Sequence, residues 1–450
     1  MLTALVLGIA TSVAAAGYPA PEKMPANPEL TVRLGHVLGL LSSSTKKSPE
    51  TVRILFYGQS ITTKAWTDQV VEAWRKRYPH ARIVYENRAM GGFSSQLLVR
   101  TMEADVFPFR PDLFILQVYG SHIAYDEVIS AVRHRTTADI LMLNDHIGAG
   151  GVESIEGKDF EAWSWDQKMN RKYLPEIAER HKCAVLDIRG AWVNYLAGNQ
   201  LEPKALLKDD IHLNEQGEYL MSTLVAGALG KPARGRKPGP DGRVTVRRIG
   251  ASQWKNGRLE VPFTGNLIEA RLGQRTGGEA GVLIDGQAPS ALAGSYVTTR
   301  ASGTPGVWWP AIKKVGRTAP WVAEEWTASC SAFTDDEEDF SFTVRGSVTG
   351  PDGSGRAKSP FRSDSGRVVI EPDDWTFAYD LKVGNKKAPD GYEVKWRTEL
   401  LGTDTLSGPG DDWTVLAYGL PIEAHTLTLT VQGPAPDSLE LRIHAPSPGK

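Results

Sequence analysis

Cysteine is almost missing. Two in 450 residues, Cys183 and Cys330, cannot staple a chain of this length, which excludes a disulfide scaffold and a four-cysteine zinc site. An excess of one charge sign is missing too. The 51 basic and 53 acidic residues give a formal net charge of -2, so nothing steers the chain to a polyanion, and nucleic acid is not expected as its main partner. After residue 16 no apolar run approaches the roughly 20 residues that span a bilayer. No internal repeat stands out. With 41% hydrophobic and 23% charged residues the chain is neither disordered nor collagenous, and its stability must come from two or more buried cores.

Residues 2–16 are small and apolar and end Val13-Ala14-Ala15-Ala16, an A-x-A-like cleavage pattern. They read as an export signal, residues 1–16, although no Lys or Arg precedes the apolar stretch, and the expected location is secreted or periplasmic. Residues 17–50 form a lead-in with one short amphipathic patch at 32–41.

From residue 51 strands alternate with helices. Strands are expected at 52–57, 82–86, 113–118, 139–143 and 184–187, and helices at 66–78, 94–104, 125–133, 165–181 and 215–229. This is an α/β domain with a parallel sheet over residues 51–230. Residues 231–243, rich in Pro, Gly, Lys and Arg, read as a linker. From Val244 onward helical periodicity stops. Short alternating runs at 258–263, 281–284, 340–345, 368–371, 425–431 and 438–444, punctuated by Gly, Pro, Asn and Asp, predict an all-β sandwich or jelly-roll domain over 244–450. The acidic run 335–339 lacks the spacing of a calcium loop and reads as a solvated turn.

Ligands in open α/β sheets bind beyond the carboxyl ends of strands. Three segments of the α/β half lie there. Gly58-Gln59-Ser60-Ile61-Thr62 follows the first strand and presents a hydroxyl near backbone N–H groups, although a Ser before a helix is as readily a cap. Asn87 to Ser94, with the pair Gly91-Gly92, follows the second and lets backbone approach a ligand; its plainer reading is a tight turn. Asp209-Asp210-Ile211-His212 precedes the last helix, where His212 can act as a base on Ser60 with Asp209 orienting its imidazole.

In this order and spacing the three segments resemble the SGNH (GDSL-like) hydrolase superfamily, over residues 51–229. The resemblance implies a flavodoxin-like three-layer α/β/α fold, Ser60 as nucleophile, Gly92 as oxyanion donor, Asp209 and His212 as triad partners, and neither metal nor organic cofactor. Gln59 replaces the usual Asp before the nucleophile, a change also found in sialate O-acetylesterase-like and some acetyl-xylan-esterase-like branches, and leans toward a carbohydrate ester. The third block departs further. Its usual Asn is His122, in Gly120-Ser121-His122-Ile123, so either His122 donates to the oxyanion or Asn144 reaches in.

Gln59, Asn144 and His146 are candidate substrate contacts, and Trp66 and Tyr119 candidate pocket walls or core residues. In the β half, Trp308-Trp309 sits in a Gly/Pro-rich stretch where core packing is a poor explanation and the pair can stack on sugar rings, although each Trp taken separately is more often a core residue. The segments 282–286 and 418–427 look like accessory domains of carbohydrate-active SGNH enzymes. The expected activity is removal of acyl groups, foremost acetyl, from a polysaccharide or oligosaccharide. The alternatives are a glycan-cleaving enzyme using carboxylates such as Asp145 or Asp209, or a non-catalytic glycan-binding protein. The sequence does not fix the oligomeric state.

Overall fold

The structure, a computed structural model, describes residues 17–22, 27–230, 242–273, 279–408 and 412–447. The expected export signal and most of the expected linker lie outside these residues. Among the described residues no helix is long and apolar enough to cross a membrane.

The first sheet has five parallel strands: β1 (Thr51–Gly58), β2 (Arg82–Asn87), β3 (Leu113–Gln117), β4 (Asp139–Leu143) and β5 (Ala184–Leu186). Their order, β2-β1-β3-β4-β5, is the flavodoxin-like one. Side chains alternate between its two faces. Ile54 and Phe56 enter one core with helices α3 (Trp66–Arg77), α8 (Ile188–Gly198) and α9 (Glu215–Ala228). Leu55 and Tyr57 enter the other with α4 (Ser95–Asp105), α5 (His122–Arg135) and α7 (Leu174–Arg180). Continuous apolar strands buried on both faces are what a parallel sheet under two helical layers requires.

The lead-in belongs to the first core. It folds as α1 (Pro28–Arg33) and α2 (Gly35–Ser43), whose Val37, Leu38 and Leu41 are buried there with Leu34. His36 contacts Asp112 at 3.3 Å, and the Val37 N–H donates to Asp139 at 2.9 Å. The helix expected at 165–181 is interrupted: α6 (Trp165–Lys168) passes through a π turn, Met169–Tyr173, into α7, where Pro175 removes an N–H. Helix α8 has no counterpart in the expected elements.

The β half contains two bodies. β6 (Val244–Gly250), β7 (Arg258–Thr264), β8 (Leu267–Leu272) and β9 (Ala280–Ile284) pair with strands at the end of the chain to form two four-stranded antiparallel sheets around one core. Between them lies an insertion with its own core: β10 (Tyr296–Thr298), β11 (Glu324–Ser331), β12 (Ser341–Gly346), β13 (Gly350–Arg356), the short pair β14 (Phe361–Arg362) and β15 (Val369–Ile370), helix α10 (Phe377–Gly384) and β16 (Tyr392–Leu400). The chain then returns to the sandwich through β17 (Thr405–Leu406), β18 (Thr414–Tyr418), β19 (Ala424–Val431) and β20 (Ser438–His444). Cys183 and Cys330 are free, buried thiols in separate cores. In the acidic run Asp335, Glu338 and Asp339 pair with Lys387, Lys358 and Arg356.

Candidate active site

The site stands at the carboxyl end of the parallel sheet. Gly58 closes β1 where any Cβ would lie 2.1 Å from the Gln117 carbonyl oxygen, so only glycine lets the chain turn there. The turn that follows is held by Thr62 and Thr63 N–H groups donating to the Gln59 carbonyl (2.8 and 3.2 Å), and α3 starts only at Trp66. Ser60 therefore sits in a turn of its own rather than on the cap of α3. Its hydroxyl lies 2.9 Å from His212 Nε2.

His212 Nδ1 lies 2.9 Å from Asp209 Oδ2. A carboxylate only accepts, so Nδ1 carries the proton and Nε2 is left to accept from Ser60. Asp209 Oδ1 also accepts the backbone N–H groups of His212 (2.7 Å) and Ile211 (2.9 Å). These bonds and the imidazole hold its carboxyl well below the usual range. The loop is braced from β4: His146 lies 2.7 Å from the Ile211 carbonyl oxygen through Nε2, and the Ala149 N–H donates to the Asp210 carbonyl at 2.9 Å. Burial pushes the His146 pKa down to about 4, so the ring is neutral near pH 7 and Nε2 carries its hydrogen.

Gly92 has φ +82°, a left-handed conformation, and Gly91 faces Ser60, since a Cβ on Gly91 would lie 3.8 Å from Ser60 Cβ. Among the described residues neither the Ser60 N–H nor the Gly92 N–H has an intramolecular acceptor. Ser60 and the neighbouring Gly91-Gly92 segment thus each keep an unspent donor, the kind of group that can bind an oxyanion.

The other candidates divide. Asn144 spends its amide on the start of α8, donating to Asp187 (2.8 Å) and accepting from the Arg189 N–H (2.9 Å), so it is a structural residue and not an oxyanion donor. His122 opens α5 and stacks on Tyr173 at 3.8 Å with Trp165 nearby, making no hydrogen bond to the triad. That contact packs its ring on the aromatic pair, and its buried Nδ1 has no hydrogen-bond partner among the described residues. His146 braces the triad loop rather than offering a substrate contact. Trp66 is core, its indole donating to the Ile61 carbonyl. Tyr119 is 38% exposed and Gln59 half-buried, and Trp308 is 84% exposed. Trp309 is only 5% exposed and packs on Gly92, so it is not a free stacking surface.

The sequence gives no sign of a polar chain that runs sideways from the nucleophile turn. Thr62 donates to Gln117 Oε1 (3.1 Å), and Gln117 Nε2 donates to Asp145 (3.3 Å). Asn170 bridges Asp145 and Asp166, and Arg189 holds Asp166. Burial and the neighbouring Asp166 push the Asp145 pKa up to about 6.

No known family model matches the chain, and no curated protein matches it in sequence. Solved structures do. A two-domain esterase active on acetylated mannans, crystallised with mannopentaose, aligns with 93% of this chain and 95% of its own at 13% identity, with a TM-score of 0.35. An acetylxylan esterase from Geobacillus stearothermophilus aligns with 43% of this chain and all of its own at 17% identity and a TM-score of 0.34. Another acetyl xylan esterase aligns with 39% of this chain and 99% of its own at 20% identity and a TM-score of 0.33.

Proposed function

We propose that this protein is an exported serine hydrolase that removes acyl groups, foremost acetyl, from a polysaccharide or its oligosaccharides. The observation that carries the reading is the hydrogen-bonded series Ser60–His212–Asp209 beside two unspent backbone donors. Ser60 Oγ attacks the ester carbonyl while His212 Nε2 takes its proton. The N–H groups of Ser60 and Gly92 hold the negative charge that forms on the carbonyl oxygen. Collapse expels the sugar oxygen, which takes the proton from His212, and leaves an acyl ester on Ser60. Water, deprotonated by His212, then releases the carboxylic acid and restores Ser60.

The carbohydrate part rests on the resemblance of the sequence and on Trp308. This indole is exposed although it directly precedes Trp309, which packs on Gly92, and it offers a flat apolar surface for a sugar ring. It sits at φ +63°, an unfavourable backbone for a bulky side chain and one retained chiefly where it serves a purpose. A glycosidase reading is less well supported. Asp209 is committed to His212, and Asp145 to Gln117 and Asn170.

The test is acetate release from a panel of acetylated polysaccharides by the wild type and by Ser60→Ala. Release should fall at least about 10⁴-fold in the variant. Equal release from both would rule out the serine mechanism. New reducing ends without acetate would favour glycan cleavage.

A further inference from the structure

The loop that carries Gly92 does not stand alone. The Trp309 indole N–H donates to the Gly91 carbonyl oxygen at 2.8 Å. The ring lies so close over Gly92 that a Cβ there would be 2.8 Å from Trp309 Cζ2. Tyr379 stacks on the same indole, centroids 4.5 Å apart and planes 12° apart, and its hydroxyl donates to the Gly92 carbonyl oxygen at 3.4 Å. Phe93 meets the indole from the catalytic side at 5.3 Å.

Both aromatic residues come from the insertion, and it holds them firmly. The Thr304 N–H donates to the Trp309 carbonyl (2.8 Å), and Thr376 Oγ1 donates to the Pro310 carbonyl (2.7 Å). Asp380, on the same helix as Tyr379, accepts the N–H groups of Gly306 and Val307 (2.9 and 2.7 Å).

One peptide group contains both the Gly91 C=O and the Gly92 N–H. In a trans peptide these point in opposite directions. A donor fixed on the carbonyl therefore fixes where the N–H aims, which is away from the indole. It also withdraws electron density through the amide and makes the N–H a stronger donor. Glycine at φ +82° has little of its own to hold this orientation, because it has no side chain and a wide choice of backbone states.

We propose that Trp309, backed by Tyr379, is a positioning residue for the oxyanion site: the insertion fixes the peptide whose N–H stabilises the transition state. The inference rests on the serine hydrolase reading. It makes the β half a part of the catalytic unit rather than an appended binding module.

The test uses the full chain with Trp309→Phe, which keeps an aromatic ring over Gly92 but removes the N–H, and Tyr379→Phe, which removes the O–H. A fluorophosphonate counts competent Ser60, so rates are expressed per labelled site and any misfolded fraction drops out. With p-nitrophenyl acetate, too small to need a glycan platform, kcat should fall about 10-fold in Trp309→Phe and less in Tyr379→Phe, with KM nearly unchanged, since a loosened donor costs less than the 10²–10³ of a lost one. An unchanged kcat per site, or a change confined to KM, would overturn the positioning role and leave the serine mechanism standing. Failure of the wild type to label at Ser60 would overturn both.

Discussion

The two β bodies grip opposite ends of the same parallel sheet, and by different means. The sandwich meets the segments that lead into β3 and β4, at the amino ends of the strands. There buried Glu269 binds Arg110 (2.7 Å), Arg442 (2.6 Å) and His444 (3.1 Å), Arg243 pairs with Asp139 (2.7 Å), and His444 contacts Thr137 (2.7 Å). The insertion meets α4 and the loop before it, which starts at the carboxyl end of β2. Its Arg300 pairs with buried Asp105 (2.7 Å) and donates to the Arg88 carbonyl (2.9 Å), its Asp374 pairs with Arg100 (2.7 Å), and its Trp309 and Tyr379 hold Gly91 and Gly92. Chemistry in such sheets belongs to the carboxyl end. The sandwich is therefore an anchor, while the insertion shares in the site.

The largest expected effects separate these roles. Glu269→Gln leaves Arg110 and Arg442 without their carboxylate in a buried interface, and breaking a buried pair of this kind costs about 3–5 kcal/mol. Urea unfolding should show that loss, while kcat per labelled Ser60 stays as in the wild type. Arg300→Met strands Asp105 in the same way and should cost a similar amount. It also frees the Arg88 carbonyl at the head of the Gly91-Gly92 loop, so its kcat per site should fall as well. Equal behaviour of the two variants in turnover would erase the distinction between anchor and site.

A smaller effect tests the brace on the other side of the nucleophile. His146→Leu removes the donor to the Ile211 carbonyl but leaves both N–H bonds to Asp209 and the Ala149 bond to Asp210. The triad loop should loosen without coming apart. Steady-state kinetics should show kcat reduced by about 10-fold or less, since misplacement of a reacting group by a full ångström costs about 10²-fold. An unchanged kcat would make His146 a core residue only.

The hydrogen-bonded series Ser60–His212–Asp209 was legible because its two segments are each marked locally in the sequence. Gly58-Gln59-Ser60 follows a strand, and Asp209 and His212 lie three residues apart on one loop, so residue type and spacing alone point to both. The parallel sheet was legible for a similar reason: apolar runs such as 139–143 coincide with β4. The contacts that tie Trp309 to Gly91 and Arg300 to Asp105 join residues about 200 positions apart, and no periodicity encodes such a pairing. The insertion was hidden because its strands alternate much as those of the sandwich do, so only the separate cores distinguish them. Helix α8 escaped because Asp187, its N-cap, followed so short a strand that both read as one element. Asn144 misled because a polar residue beyond a strand can face the cleft or hold a helix start, and its identity does not say which.

The smallest effect concerns pH. His146 and Asp145 are chain neighbours with opposite perturbations. Burial lowers the His146 pKa from 6.5 to about 4, so between those values the unfolded chain binds a proton that the folded one refuses. Stability from this group is complete above pH 6.5 and falls as pH drops toward 4. Burial and Asp166 raise the Asp145 pKa from 3.8 to about 6, so across nearly the same window the folded chain binds the extra proton. Stability from that group rises as pH drops from 6 toward 3.8. The two slopes oppose each other, and the wild type should show little net dependence from this pair. Asp145→Asn removes one slope and keeps a side chain of the same shape. Urea unfolding at pH 4.5, 5.5, 6.5 and 7.5 should then show the stability of the variant falling relative to that of the wild type as the pH drops, because the His146 slope is no longer offset. Parallel curves would mean that the charges on Asp166 and Arg189 beside Asp145 readjust when Asp145 is neutralised, and that the carboxyl end of β4 carries no pH dependence of its own.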